Sequence, residues 1–264
     1  MPKHDLPPEQ WWYRLLTGNN PPLPGRQLRH LFRLLPTGPR CKFCNAPYHG
    51  VAGPVMRMIG KGPSRLTPQL CRQCQDTASK HLGGTEIELT MLFADVRGST
   101  PLAEKMGPAA FSRLISRFFA TSTEVLIRHL AMVDKLAGDQ ATGLFVPGFA
   151  GPNHRQRAIE AAQELLRVTG HADAQGPWIP LGIGVHTGVA FVGSVGSEGS
   201  ATDITVLGDP ANVAARLSST AAAGEILISR EAAVDMDTGQ LESRELDLKG
   251  KSQSVGVYVL REYS

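Results

Sequence analysis

Long apolar runs are missing from this chain. Arg, Asp, Gly or Pro interrupts every hydrophobic stretch before it nears the roughly 20 residues of a membrane-spanning helix, which argues against a span. The opening MPKHDLPPEQ lacks the apolar segment of a secretory signal, so the expected location is the cytoplasm. Cysteine is scarce, with four residues in 264. Where thiols stay reduced, so few cysteines do not make a disulfide framework, and a cluster of them points to metal. Aromatic residues suited to stacking on bases are sparse beyond Trp11, Trp12 and Tyr13, and nucleic acid is not expected as a partner. Internal repeats and low-complexity tracts are absent, which excludes an array. The remaining 42% of hydrophobic residues suits one core of ordinary size and a small appendage.

Acidic residues are also few at one end. Residues 1–84 hold twelve Lys and Arg against Asp5, Glu9 and Asp76, a net of +9, which leaves fifteen against twenty-one, or −6, for residues 85–264. A charge break of this size predicts a domain boundary near Gly83-Gly84, with a basic N-terminal module, expected to be regulatory, over residues 1–84 and the main domain over residues 85–264. In the first part, RQLRHLFRLL sets Leu28, Leu31, Phe32 and Leu35 at helical spacing, with Arg26, Arg29 and Arg33 largely off that face. The leucines are expected to pack on the neighbouring cysteine module and the arginines to be solvated.

From Glu86 onward, apolar strands alternate with longer helical segments. IELTMLFADV reads as a strand, Pro108 to His129 as a helix, and MVDKLAGDQATGLFV as a strand pair turning at Gly138-Asp139. A second helix is predicted from His154 to Val168, a strand at WIPLGIGVH, a short strand from Ile204 to Leu207, and a helix from Pro210 to Ser219. ILIS and VGVYVL close the pattern as two further strands. Gly188, Gly193 and Gly196 are expected to permit a hairpin turn, and His186 to be structural. The fold class is α/β (α+β), helices packed on a mixed sheet, with a small N-terminal helical, metal-binding module.

All four cysteines lie in Cys41-Lys-Phe-Cys44 and Cys71-Arg-Gln-Cys74, two CxxC pairs separated by 26 residues. Four thiolates suit one tetrahedral, structural Zn²⁺ per chain, while iron or an iron–sulfur cluster is the alternative occupant. The second cluster of interest is acidic. Phe93-Ala-Asp95-Val-Arg-Gly-Ser-Thr100-Pro101 delivers Asp95 at a strand end before a turn at Gly98, with Thr100 as the expected helix cap. Backbone N–H groups at a helix start attract phosphate, and a neighbouring carboxylate can hold Mg²⁺ against it. Asp139, at the predicted strand turn, is the second carboxylate able to share metals with Asp95.

FADVRGST, VDKLAGD and TVLGDPANVAARL, in that order over residues 89–260, resemble the catalytic domain of class III adenylyl cyclases. The resemblance implies a ferredoxin-like cyclase sandwich and two Mg²⁺ or Mn²⁺ ions between Asp95 and Asp139, used to convert ATP to cyclic AMP and pyrophosphate. By the same resemblance Asn212 orients the ribose, Arg216 stabilises charge on the α-phosphate, and Lys135 and Thr205 read the base. Their i, i+4 spacing puts Asn212 and Arg216 on one helix face. Most adenylyl cyclases of the class carry Asp where this chain has Thr205; a hydroxyl both donates and accepts, so GTP stays open as a substrate beside ATP. A phosphate-binding lysine is implied at Lys249, with Lys251 its competitor. Lys135 and Asp139 span up to about 13 Å of extended chain, and the resemblance resolves this by placing them in different sites of a homodimer required for activity. The CxxC module lies outside the resemblance. A different reading makes the cyclase-like part a silent dimeric scaffold for a zinc module that binds nucleic acid or an anionic partner.

Overall fold

The computed structural model describes residues 6–19, 21, 25–35, 39–196, 202–248 and 253–261. None of its helices is long and apolar enough to cross a membrane, among the described residues. In chain order the first elements are α1 (Pro8–Thr17), α2 (Gly25–Arg33), α3 (Gly53–Met58), α4 (Arg72–Lys80), β1 (Gly83–Val96), α5 (Ser99–Met106), α6 (Pro108–Arg128), β2 (Met132–Ala137) and β3 (Gln140–Phe145). They are followed by α7 (Pro147–Ala150), α8 (His154–Val168), β4 (Leu181–Gly196), β5 (Thr202–Leu207), α9 (Asp209–Thr220), β6 (Glu225–Ser229), β7 (Glu242–Leu246) and β8 (Val255–Arg261).

The expected mixed α/β architecture is what the chain forms. Its sheet has eight strands in the order β2-β3-β1-β4-β6-β8-β7, with β5 paired to β4 off that path. The β4–β6 pair is parallel, and β1–β3, β2–β3, β4–β5, β6–β8 and β7–β8 are antiparallel. The chain divides into two compact units: Met1–Glu88 with Val146–Pro152 and Val189–Gly208, and Leu89–Phe145 with Asn153–Gly188 and Asp209–Ser264. The first stretch of the first unit ends at Glu88, five residues after Gly83, and two later stretches belong to the same unit.

In the first unit, α1 buries Trp11, Trp12, Leu15 and Leu16, four positions on one helical face. Trp12 Nε1 donates to His81 O at 2.8 Å and Trp11 stacks on the His81 ring with centroids 4.2 Å apart. The short α7 belongs here because Phe149, 1% exposed, packs edge-on against Phe43 and lies under the Arg29 guanidinium. Arg29 corrects the expectation of solvated arginines: it is 1% exposed, whereas Leu31 is 59% exposed. Helical spacing alone missed this because Arg29 exchanges water for carbonyls, donating to Lys42 O at 3.1 Å and to Phe43 O. Phe32 is buried as expected, and the side chains of Arg26, Leu28 and Arg33 lie outside the described residues.

In the second unit, α6 turns Ile115, Phe118, Ser122, Val125 and Leu126 inward, and α8 turns Ala158, Ile159, Ala161, Ala162, Leu165 and Leu166. The two helices pack together. From Leu89 on, β1 is buried almost without alternation, as befits a strand covered on both faces. α9 sets Val213 and Leu217 against Leu227 of β6 and Val257 and Val259 of β8. It lies so close to β4 that a Cβ at Gly184 would fall 2.4 Å from Ser218 N, so no larger residue is compatible with that approach.

Two local expectations are corrected. α5 begins at Ser99 with Gly98 as its cap residue at φ 65, so Thr100 is already inside the helix. Gly188 and Gly193 fall within β4 rather than in a turn, whereas Gly196 ends β4 opposite Thr202 in the antiparallel β4–β5 pair. A Cβ at Gly193 would come within 2.4 Å of Gly83 O, so this glycine serves close strand approach.

Candidate active site

The end of β1 and the β2–β3 turn meet in the second unit. β1 and β3 pair in a register that sets Asp95 opposite Gln140, and Val96 N–H donates to Asp139 O at 3.1 Å. Gly138, at φ 63, makes the tight turn that places Asp139 beside the β1 end. Burial pushes the Asp95 carboxyl above the ordinary carboxylate range; the Arg97 guanidinium opposes this, and the charge of Asp139 adds to the rise. The Asp139 carboxylate is therefore near enough for its charge to reach Asp95. As hard oxygen donors on adjacent rigid strand ends, the two carboxylates fit divalent Mg²⁺ or Mn²⁺, and a cation would relieve their mutual repulsion.

Arg97 was not singled out from the sequence. Its Nη2 lies 2.8 Å from Asp95 Oδ1, and its Nη1 donates to Ser219 O at 2.6 Å. The signal was present, since Arg97 follows Asp95 by two residues, but its reach to α9 crosses 122 positions of sequence.

Lys135 is exposed on β2, in a stretch where the β2–β3 register shifts between Val133 and Leu136. An irregularity of that kind re-aims side chains, here next to the acidic turn. Asn212 and Arg216 both stand on α9, exposed and half-buried respectively. Each precedes a residue of the buried stripe, Val213 and Leu217, which leaves the pair on the flank of the helix. Among the described residues neither makes a hydrogen bond or ion pair with Asp95 or Asp139. Thr205 is buried on β5, opposite Gly193 of β4, in the first unit. Lys249 and Lys251 lie outside the described residues. His186 is buried with Nδ1 2.8 Å from Ser229 Oγ, consistent with a structural part.

The four cysteines of the first unit converge. Cys41, Cys44, Cys71 and Cys74 are all buried, and their sulfur atoms lie within 4.8 Å of one another. A tetrahedron with Zn–S bonds of about 2.3 Å has edges of about 3.8 Å, and Cys44 Sγ and Cys71 Sγ stand 3.8 Å apart. Backbone amides support the sulfurs: Cys71 N–H donates to Cys41 Sγ at 3.2 Å and Cys74 N–H to Cys71 Sγ at 3.4 Å. The donor set and its size fit a tetrahedral thiophilic ion. Arg29 sits close enough to feel the cluster: burial pushes its pKa down to about 10, and negative charge on Cys44, Cys41 and Cys74 holds it from falling further.

Residues 85–262 match the Adenylate and Guanylate cyclase catalytic domain, and the chain belongs to that family. Solved structures agree. The guanylyl cyclase Cya2 superposes with a TM-score of 0.61 at 26% identity, covering 67% of this chain and 93% of its own. The adenylyl cyclase CyaB from P. aeruginosa does so with a TM-score of 0.59 at 27% identity, covering 69% and 97%. An uncharacterized protein of Mycobacterium tuberculosis is 35% identical over 137 residues, 52% of this chain and 25% of its own length. Another, of Mycobacterium bovis, is 32% identical over 182 residues, 66% of this chain and 32% of its own. The chain thus spans a third or less of these curated relatives.

Proposed function

We propose that this protein is an adenylyl cyclase that converts ATP to 3′,5′-cyclic AMP and pyrophosphate, in a homodimer whose pockets each draw residues from both copies. The observation that carries this reading is the junction of Asp95 and Asp139 at neighbouring strand ends inside the family match.

Bound at these carboxylates, two Mg²⁺ or Mn²⁺ ions would supply Lewis-acid charge at the ribose 3′-hydroxyl and the triphosphate. Asp95 and Asp139 fix the position of that charge. Arg216 donates to the α-phosphate oxygens, where negative charge spreads as the 3′-oxygen attacks in line, and Asn212 holds the ribose. The protein supplies no nucleophile, so its work is positioning and electrostatics. Lys135 donates to adenine N1 and the Thr205 hydroxyl accepts from the 6-amino group. Lys249 completes the set as a phosphate ligand.

The Cys41, Cys44, Cys71 and Cys74 centre holds one structural Zn²⁺ in this reading, with iron the competing occupant. Residues 1–84 act as a regulatory module and residues 85–264 as the catalytic domain, which the change of net charge and the start of the family match at residue 85 support.

The test is direct. The purified protein is incubated with Mn²⁺ and either ATP or GTP, with and without bicarbonate, and products are identified by mass. Cyclic AMP as the main product is the expected result. Cyclic GMP as the main product overturns the base assignment, and cyclic product from neither nucleotide overturns catalysis in favour of a scaffold.

A further inference from the structure

The cysteine centre grips the strand that carries Thr205. Lys42, the second residue of the first CxxC pair, has a side chain only 4% exposed, and its ammonium lies 2.5 Å from Asp203 Oδ1. The same carboxylate oxygen accepts from Ile204 N–H at 2.9 Å, so Asp203 is fixed to its own strand as well as to Lys42. Asp203 pairs with Val195 and Thr205 with Gly193 across the β4–β5 ladder. Residues two apart on a strand share a face roughly 7 Å apart, so the Asp203 anchor and the Thr205 hydroxyl lie on one side of β5.

A second hold comes from the other CxxC pair. α4 has Cys71 as its cap residue and carries Cys74 in its first turn, and this helix packs on β5. The first hold is itself secured from behind, because Arg29 donates to the carbonyls of Lys42 and Phe43. The Lys42 side chain is buried along its length and so is held in place, which separates this pair from an incidental surface contact between two solvated side chains. Both halves of the four-thiolate centre therefore bear on one strand, and an ion that cross-links them makes a single rigid clamp.

We propose that Lys42 and Asp203 are positioning residues, through which the cysteine centre sets β5 and so tunes how the Thr205 hydroxyl meets the purine base. This rests on the reading of Thr205 as a base contact. The consequence is that an intact centre sharpens discrimination between ATP and GTP without taking part in the chemistry.

The experiment compares full-length Asp203→Asn, Asp203→Glu and Lys42→Met with the parent. It measures metal content, amide hydrogen exchange, and KM and kcat for both nucleotides. Because Asp203 is partly exposed, its variants keep the test usable if Lys42→Met fails to fold. In Asp203→Asn the bound metal is expected to remain while the amides of β5 exchange roughly tenfold faster and those of β6 do not change. KM for ATP is expected to rise about fivefold and the ATP preference in kcat/KM to fall by a similar factor, with kcat held within about twofold. Asp203→Glu, which keeps the carboxylate, should restore most of both effects. Unchanged exchange in β5 overturns the clamp. Faster exchange with unaltered KM and base preference overturns the positioning of Thr205. The underlying reading fails separately, if Thr205→Val leaves base preference intact; the exchange readout does not depend on substrate.

Discussion

Arg97 joins Asp95 to the carbonyl of Ser219: one guanidinium nitrogen stands 2.8 Å from the Asp95 carboxylate and the other 2.6 Å from the last turns of α9. A single side chain thus ties the Asp95 carboxylate to the helix that bears Asn212 and Arg216. The positive charge on Arg97 also competes with any cation for Asp95.

Replacing Arg97 with Gln should therefore have two opposite effects. Mn²⁺ affinity measured by electron paramagnetic resonance should improve about threefold, in line with loss of a partly exposed ion pair. Unfolding free energy should fall by about 1–2 kcal/mol from the lost bond to Ser219 O. Weaker Mn²⁺ binding in the variant would show that Arg97 assists rather than competes.

Asp95→Ala and Asn212→Ala remove residues that the proposed dimer supplies to one pocket from different copies. Each variant alone should lose at least about a hundredfold in activity. Mixed in equal amounts and allowed to exchange, they should recover about a quarter of parental activity, since half the dimers would be mixed and each would have one intact pocket. No recovery, with mixed dimers demonstrated, would rule out shared pockets.

Cysteine substitution addresses the other centre. Cys44→Ser should drop bound metal from about one ion per chain to a small fraction of that, because three ligands remain where a closed site needs four. Thermal unfolding should then lose its highest transition, and hydrogen exchange should rise first in residues 39–80. Full metal occupancy in Cys44→Ser would mean that the sulfurs converge for another reason.

The start of β6 gives a pH prediction. Burial pushes Glu225 up, but the guanidinium of Arg244, the Ala222 amide and Arg261 outweigh it and bring its pKa down to about 2 from 4.5. A carboxylate with a lowered folded-state pKa contributes stability that is complete above its unfolded value and fades as pH falls through the folded one. Denaturant titrations should show this loss between about pH 4.5 and pH 2. Glu225→Gln should flatten that part of the profile and cost on the order of 2–3 kcal/mol at neutral pH. An unchanged slope in the variant would remove Glu225 as its source.

Most of the second unit could be read from residues alone. α6, α8 and the β2–β3 turn fall within a residue or two of expectation, because their apolar positions repeat cleanly and Gly138 marks the turn. β7 was not legible: Glu242, Ser243, Arg244 and Glu245 carry no apolar alternation, and the strand forms by pairing with β8 at the sheet edge. Arg29 reversed its expected exposure because its partners are backbone carbonyls, which leave no trace in a sequence. The Asp95–Asp139 junction was legible through motif and turn, whereas Lys42–Asp203 pairs residues 161 positions apart and no local pattern announces it.

Phe149 sits in a stretch after β3, yet Phe43 and Arg29 cover its ring. The N-terminal residues are consequently not a detachable cap. Deleting them up to Gly84 would uncover a large aromatic side chain and strip β5 of its contact with Lys42, so a truncated chain that shows no activity would be reporting broken packing as readily as a missing control element.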